Sequence, residues 1–292
     1  MEKIIRDKKK KAAMLSILSN SGLIALKVFA GIISGSIGII SEAIHSGSDL
    51  LASLITFFSV SESTKPADED HQFGHGKYED FASLIEGILI ILAAFYIIYE
   101  ALKKILFDSH LQINADVGIV VMFISIVANF FISSYLFRTA HNTGSTALYA
   151  DGEHLRTDIY SSLAVFLGLF CVKMTGNAIY DPIIAILVAI IIFTAGYKIC
   201  ETAQKSLLDT SLSEEENSQI KAIIEKHIEN GIISIKNLRT RKAGLKKNIE
   251  MTLIVEKTMH ISTSHKICDE IEAEIETDLK NTDISIHLEP NV

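Results

Sequence analysis

The sequence predicts an α-helical polytopic membrane protein, with six transmembrane helices followed by a small C-terminal cytoplasmic α+β domain. Three observations predict it. Of 292 residues, 49% are hydrophobic, and the mean hydropathy of +0.33 exceeds that of an ordinary soluble domain. Several stretches reach the roughly 20 apolar residues that a helix needs to cross a bilayer. After Leu207 the chain turns polar and acidic, and its hydrophobic pattern alternates between helical and strand periods.

The N-terminal segment MEKIIRDKKKK carries six Lys/Arg. Directly before an apolar run, such a basic tail (1–11) is a positive-inside topology signal and not a nucleic-acid patch. The first apolar run lacks a small-residue cleavage site and reads as a retained span. The expected spans are roughly 12–33, 37–60, 81–102, 117–137, 146–174 and 182–202, within a transmembrane domain of 12–208. An even number of spans places both termini in the cytoplasm of a multi-pass cell-membrane protein. Lys65, Lys77, Arg138, Lys198 and Lys205 then fall inside, against Lys103, Lys104 and Lys173 outside.

The region 209–292 begins with Ser/Asp punctuation, early acids and apolar residues at helical spacing, predicting a capped helix that ends at Gly231. IISIKNLRTRKAG and KKNIEMTLIVEK read as strands around a Gly-Leu turn. SHKICDEIEAEIETDLK reads as a second amphipathic helix and DISIHLEP as a closing strand. The order α-β-β-α-β fits a small α+β domain with a three-stranded sheet. Cys171, Cys200 and Cys268 form no CxxC pair, which excludes a disulfide framework and a cysteine-based zinc site.

The second and fifth spans carry charges that lipid disfavours. A charge at bilayer depth costs about 2.5–3.5 kcal/mol on the mildest insertion scale, so such residues face a cavity and act there. His45 and Asp49 are four apart and share one helix face. His154 and Asp158 repeat the device, and the likeness extends to Glu42 and Ser53 against Asp151 and Ser162. Two imidazole nitrogens and two carboxylate oxygens are the ligand number and type that tetrahedral Zn²⁺ accepts. The carboxylates also neutralise the ion's double charge. In the polar loop after the second span, Asp68, His71 and His75 form a second candidate metal cluster, with Gly74 and Gly76 permitting a tight fold. Asn20, Lys27 and Asn129 are polar residues inside apolar runs; Asn20 suits the ion path or an interhelical hydrogen bond, and Lys27 an ion pair or snorkelling.

The paired HxxxD motifs and the loop PADEDHQFGHGKYED resemble the cation diffusion facilitator family of divalent-metal/proton antiporters, over essentially the whole chain. The resemblance implies a homodimer in the lipid bilayer, with a metallochaperone-like C-terminal domain. It implies that His45, Asp49, His154 and Asp158 form the transport site and that Asp68, His71 and His75 form a secondary site. It also implies a charge interlock between protomers through Lys77, Asp209 and Arg241. A C-terminal metal site would draw on His265, His287 and Glu289. Zinc-binding relatives carry two further histidines where this chain has Lys236 and Thr252, so a weaker, single-ion site is expected.

Neutral imidazole is the ligand form and titrates near pH 6.5, so protons and metal compete for His45 and His154. Nitrogen and oxygen donors without thiolate suit Zn²⁺, Fe²⁺ and Co²⁺ better than Mg²⁺ or Ca²⁺. Zinc is expected first as the transported ion, then Fe²⁺, Co²⁺ or Cd²⁺, then Mn²⁺. Two readings from other classes are a non-transporting metal sensor and an intramembrane metal hydrolase. No HExxH is present, and the chain is not expected to be an enzyme.

Overall fold

The computed structural model describes residues 2–34, 37–107, 115–175, 179–228, 231–244 and 246–291; side chains at several of these, including 37–45 and 48, lie outside the description. Two compact units result, Met1–Gln204 and Lys205–Val292.

The first unit consists of helices: α1 (Glu2–Ser34), α2 (Ile37–Ser63), α3 (Lys77–Phe107), α4 (Ala115–Thr143), α5 (Thr146–Thr175) and α6 (Tyr180–Leu207). Each expected span lies within one of them. Among the described residues, stretches of α1, α3, α4 and α6 are long and apolar enough to cross a membrane. The remaining two, α2 and α5, carry the expected ligands. The basic segment expected as a separate tail continues α1 without a break, since nothing in EKIIRDKKKKAAM interrupts a helix. Large side chains such as Phe58, Phe95, Phe123, Phe130 and Leu187 are exposed around the bundle, as lipid contact requires. Its interior holds Ser16, Asn20, Asp49, Ser53, Thr56, Glu86, Asp151 and His154, all buried. Small residues bring α3 and α6 together. A Cβ on Gly196 would lie 3.0 Å from the Gly87 carbonyl oxygen, and one on Gly87 3.1 Å from that of Gly196.

The second unit is a three-stranded sheet in the order β1-β2-β3 with two helices. β1 (Ile232–Ala243) and β2 (Lys246–Val255) pair antiparallel, and β3 (Thr282–Pro290) joins β2 in parallel. The parallel pairing needs a crossover, which α8 (Ile261–Asp278) supplies. α7 (Glu214–Lys226) starts with a capping box between Ser213 and Glu216. It ends at His227 and not at Gly231. Gly231 instead takes φ +103 at the entry to β1, a conformation that glycine adopts without strain. Ile220, Ile223 and Ile224 of α7 meet Ile249, Met251 and Leu253 of β2 and Ile267, Ile271 and Ile275 of α8 in one core. The spacing is helical in the helices and alternate in the strand, as burial on one face demands. Between the strands, Gly244 has φ +60; Leu245, the other residue of the expected turn, lies outside the described residues.

Candidate metal site

Asp49 sits on α2 and His154 and Asp158 on α5. The His154 Nε2 lies 3.2 Å from Asp49 Oδ1. One ligand atom from each of the three residues falls within 4.8 Å of the others. Two ligands bound about 2.0 Å from a tetrahedral ion stand roughly 3.3 Å apart, so the Asp49–His154 spacing is that of two zinc ligands. Asp49 and His154 are each 7% exposed. His45, the fourth expected ligand, occupies α2 one turn before Asp49, and its side chain lies outside the description.

The surroundings of this trio are polar. Asn20 of α1 donates to Ser53 Oγ at 2.7 Å and to the Asp49 carbonyl at 3.4 Å, so it ties α1 to α2. Lys27 does not snorkel: it is buried and donates to Ser46 Oγ at 2.6 Å. Asn129 is buried too, and its Oδ1 has no partner.

The loop between α2 and α3 builds a second cluster. Asp68 Oδ1 accepts the backbone N–H of Asp70 at 3.1 Å and of His71 at 2.7 Å. His75 Nε2 lies 3.3 Å from Asp68 Oδ2 and His71 Nδ1 lies 3.4 Å from Oδ1. Gly74 takes φ +84, which lets the two rings approach to 4.4 Å between centroids. One ligand atom from each of Asp68, His71 and His75 again falls within 4.8 Å of the others. The His71 backbone N–H holds the Asp68 carboxyl below the usual carboxylate range, in the ionised form that a cation needs.

Among the described residues these are the two groups of three metal-ligating side chains that converge. The C-terminal set does not. Lys236 pairs with Thr252, and Thr252 with His287, along one row across the sheet. Two of those three seats thus hold no ligand. His287 Nε2 is 3.9 Å from Glu289, whose other oxygen lies 3.6 Å from Lys236 Nζ. His265 is exposed on α8. His260 serves as the N-cap of α8, accepting from the Ser262 N–H. Of the expected interlock, Arg241 Nη1 donates to Asp209 Oδ2 at 3.4 Å. Lys77 opens α3 in the other unit.

Sequence reasoning passed over several buried charges, Lys9, Glu79, Asp80 and Glu86 among them. Lys9, assigned to the basic tail, is 3% exposed and bonds Glu79 at 2.6 Å. Ser63 and Ser145 also donate to Glu79. Glu86 is fully buried and accepts from Thr56. The signal was present, since Glu86 interrupts the apolar run FASLIEGILII much as Asp49 interrupts its own.

With this geometry established, residues 13–208 match the family profile described as the cation efflux transmembrane domain, and residues 212–291 the one described as the cation efflux protein, cytoplasmic domain. An uncharacterized transporter from Synechocystis is 31% identical over 95% of this chain and 89% of its own length. The cation-efflux pump FieF of Shewanella oneidensis is 29% identical, over 96% and 94% of the two chains. The FieF of Klebsiella pneumoniae is 30% identical, over 96% and 92%.

Proposed function

The chain belongs to the cation efflux, or cation diffusion facilitator, family, and from that premise we propose that it exports a divalent transition-metal ion, zinc foremost, in exchange for protons. The observation that carries this reading is the convergence of Asp49, His154 and Asp158 from two helices at zinc-ligand spacing. His45, one turn away on α2, is the proposed fourth ligand. Two carboxylates cancel the charge of the ion, and two imidazoles favour zinc, iron or cobalt over magnesium. Metal arriving from the cytoplasm displaces protons from the imidazoles. When the bundle opens to the other face, protons entering the site release the ion and reset the carrier.

The remaining assignments belong to the same proposal. Residues 12–208 form the transport domain of a cell-membrane protein with both termini in the cytoplasm. Asp68, His71 and His75 hold metal at the loop. Two protomers associate through the C-terminal domain (209–292) and the interlock of Lys77, Asp209 and Arg241. Metal binding by His265, His287 and Glu289 is weak, since the three do not converge and Glu289 already faces Lys236. Isothermal titration of residues 205–292 with zinc checks that last point, and tight binding of two ions per protomer would refute it.

The deciding experiment is metal uptake by proteoliposomes across a panel of ions, with internal pH followed by a dye. The expected result is zinc uptake with opposite proton flow. Metal binding without flux would make the protein a sensor, and zinc flux without proton movement would remove the antiport step.

A further inference from the structure

We propose that Glu86 and Asp151 form a transit site through which the exported cation passes between the loop and the transport site, an inference that rests on the transport reading above. Both carboxylates are fully buried, on α3 and α5 respectively. Both meet one face of α2: Thr56 donates to Glu86 Oε1, and Ser53, three residues earlier, donates to Asp151 Oδ1 at 3.3 Å. That leaves Glu86 Oε2 and Asp151 Oδ2 buried with no hydrogen-bond partner. Among the described residues, neither carboxylate is ion-paired with a Lys, Arg or His. A structural polar network has its buried oxygens satisfied, because an unpaired one carries its desolvation penalty uncompensated, and more so when charged. Two unsatisfied carboxylate oxygens held on neighbouring turns are the arrangement that a passing cation completes.

The position agrees with this use. Glu79, bonded to Lys9, Ser63 and Ser145, marks where the ends of α1, α2, α3 and α5 that border the loop come together. Glu86 lies seven residues further along α3, about 10 Å inward at 1.5 Å per residue. Asp151 precedes His154 by three residues and so stands about 5 Å before it along α5. A divalent ion crossing that interval bare would meet a prohibitive Born cost, which two carboxylates with two hydroxyls beside them lower. Oxygen donors alone hold zinc less tightly than a mixed imidazole and carboxylate set, so the ion moves on toward Asp49 and His154.

The test uses the full-length protein in two assays, zinc flux in proteoliposomes and zinc binding in detergent. Binding is scored as the equivalent of zinc that Asp49→Ala removes. Glu86→Gln and Asp151→Asn are expected to keep that equivalent while flux falls by about 10–100-fold, the range that carboxylates just outside a metal site command. Glu86→Asp and Asp151→Glu keep the charge and are expected to recover much of the flux. Amide variants with wild-type flux would overturn the transit site and leave the transport reading intact. So would charge-retaining variants no better than the amides, or loss of the bound equivalent along with flux. A wild-type protein that moves no metal would instead defeat the transport reading and the transit site together.

Discussion

In the helical unit buried charged and hydrogen-bonding side chains share the interior with Ile90, Leu136, Leu148, Leu155 and Ile192, while many large apolar side chains face outward. The centre of the C-terminal domain is apolar instead. Asp49, Glu86, Asp151 and His154 are buried among helices whose outer faces carry Phe95, Phe123, Phe130 and Leu187. In the domain, Ile220, Ile249, Leu253, Ile271 and Ile275 fill the centre, while its ion pairs, such as Arg239–Glu250 and Lys246–Asp283, lie at the surface. Water drives the second arrangement, because removing apolar area from it stabilises by about 25 cal/mol per Å². Lipid supplies no such drive between helices, so packing and interhelical hydrogen bonds hold the bundle. One consequence is practical: in the domain the informative residues are the apolar ones, and in the bundle they are the exceptions to apolarity.

The largest test of the contrast concerns those exceptions. Asp49→Ala or Asp158→Ala removes a proposed ligand and one of the two carboxylates proposed to neutralise the ion. Zinc flux in vesicles is expected to fall more than about 100-fold, beyond the loss typical of groups outside the first ligand sphere. The protein should elute as wild type on size exclusion. Flux at the wild-type rate in either variant would remove these residues from the site.

Next in size is a comparison of truncations. Leu253→Ala empties a fully buried position of the C-terminal core and should cost about 2–5 kcal/mol in the denaturation of residues 205–292. Phe130→Ala deletes a larger side chain, 57% exposed on α4, and should hardly move the melting temperature of the full chain in detergent. Asn20→Ala, a small polar deletion inside the bundle, should exceed it by about 1 kcal/mol through its lost bonds. The reverse ranking of Phe130 and Asn20 would break the contrast.

Selectivity gives a finer test. His45→Asp would replace half of the proposed imidazole contribution with a harder oxygen donor. Competition between ions in vesicles should shift toward manganese by about tenfold, a change of 1.4 kcal/mol in relative preference. An unchanged order would locate selectivity in helix packing and not in the donor set.

The same contrast explains what was legible in the sequence. The alternation in β2 and the 3-4 spacing in α7 and α8 gave the C-terminal elements to within a few residues, because one buried face imposes a period. The end of α7 was misjudged because IEN continues the apolar spacing while Gly231 sits five residues beyond the last helical one. In the bundle, apolar runs announced the helices, and the repeated His-x3-Asp pointed to side chains of which Asp49, His154 and Asp158 converge. Glu86 and Lys9 escaped because a single charge, unlike a repeated motif, points to no partner. Lys9 lay in a basic run where a solvated tail was the simpler expectation, and its burial depends on Glu79, 70 residues away. The Gly87–Gly196 contact was equally silent, since only the fold reveals which small residues face each other.

The smallest expected effect tests the domain's surface, where charge meets water and contributes little. Glu216 closes the capping box of α7 and reaches Lys247 at 2.8 Å on β2. Partial burial pushes its carboxyl up, but the bonds from Lys247 and Ser213 outweigh that and hold it below the ordinary value of 4.5. A carboxylate with a lowered folded value adds stability above its unfolded value and loses it as pH falls through the folded one. The domain should therefore lose part of its stability on acidification below about pH 4.5, the ordinary value, and Glu216→Gln should flatten that decline. Ser213→Ala removes the cap hydroxyl and should cost about 1 kcal/mol at pH 7. Urea denaturation of residues 205–292, followed by far-UV circular dichroism at pH 7 and pH 4, measures both. An acid slope unchanged in Glu216→Gln would assign the decline to other carboxylates and reduce the Glu216–Lys247 contact to an incidental surface pair.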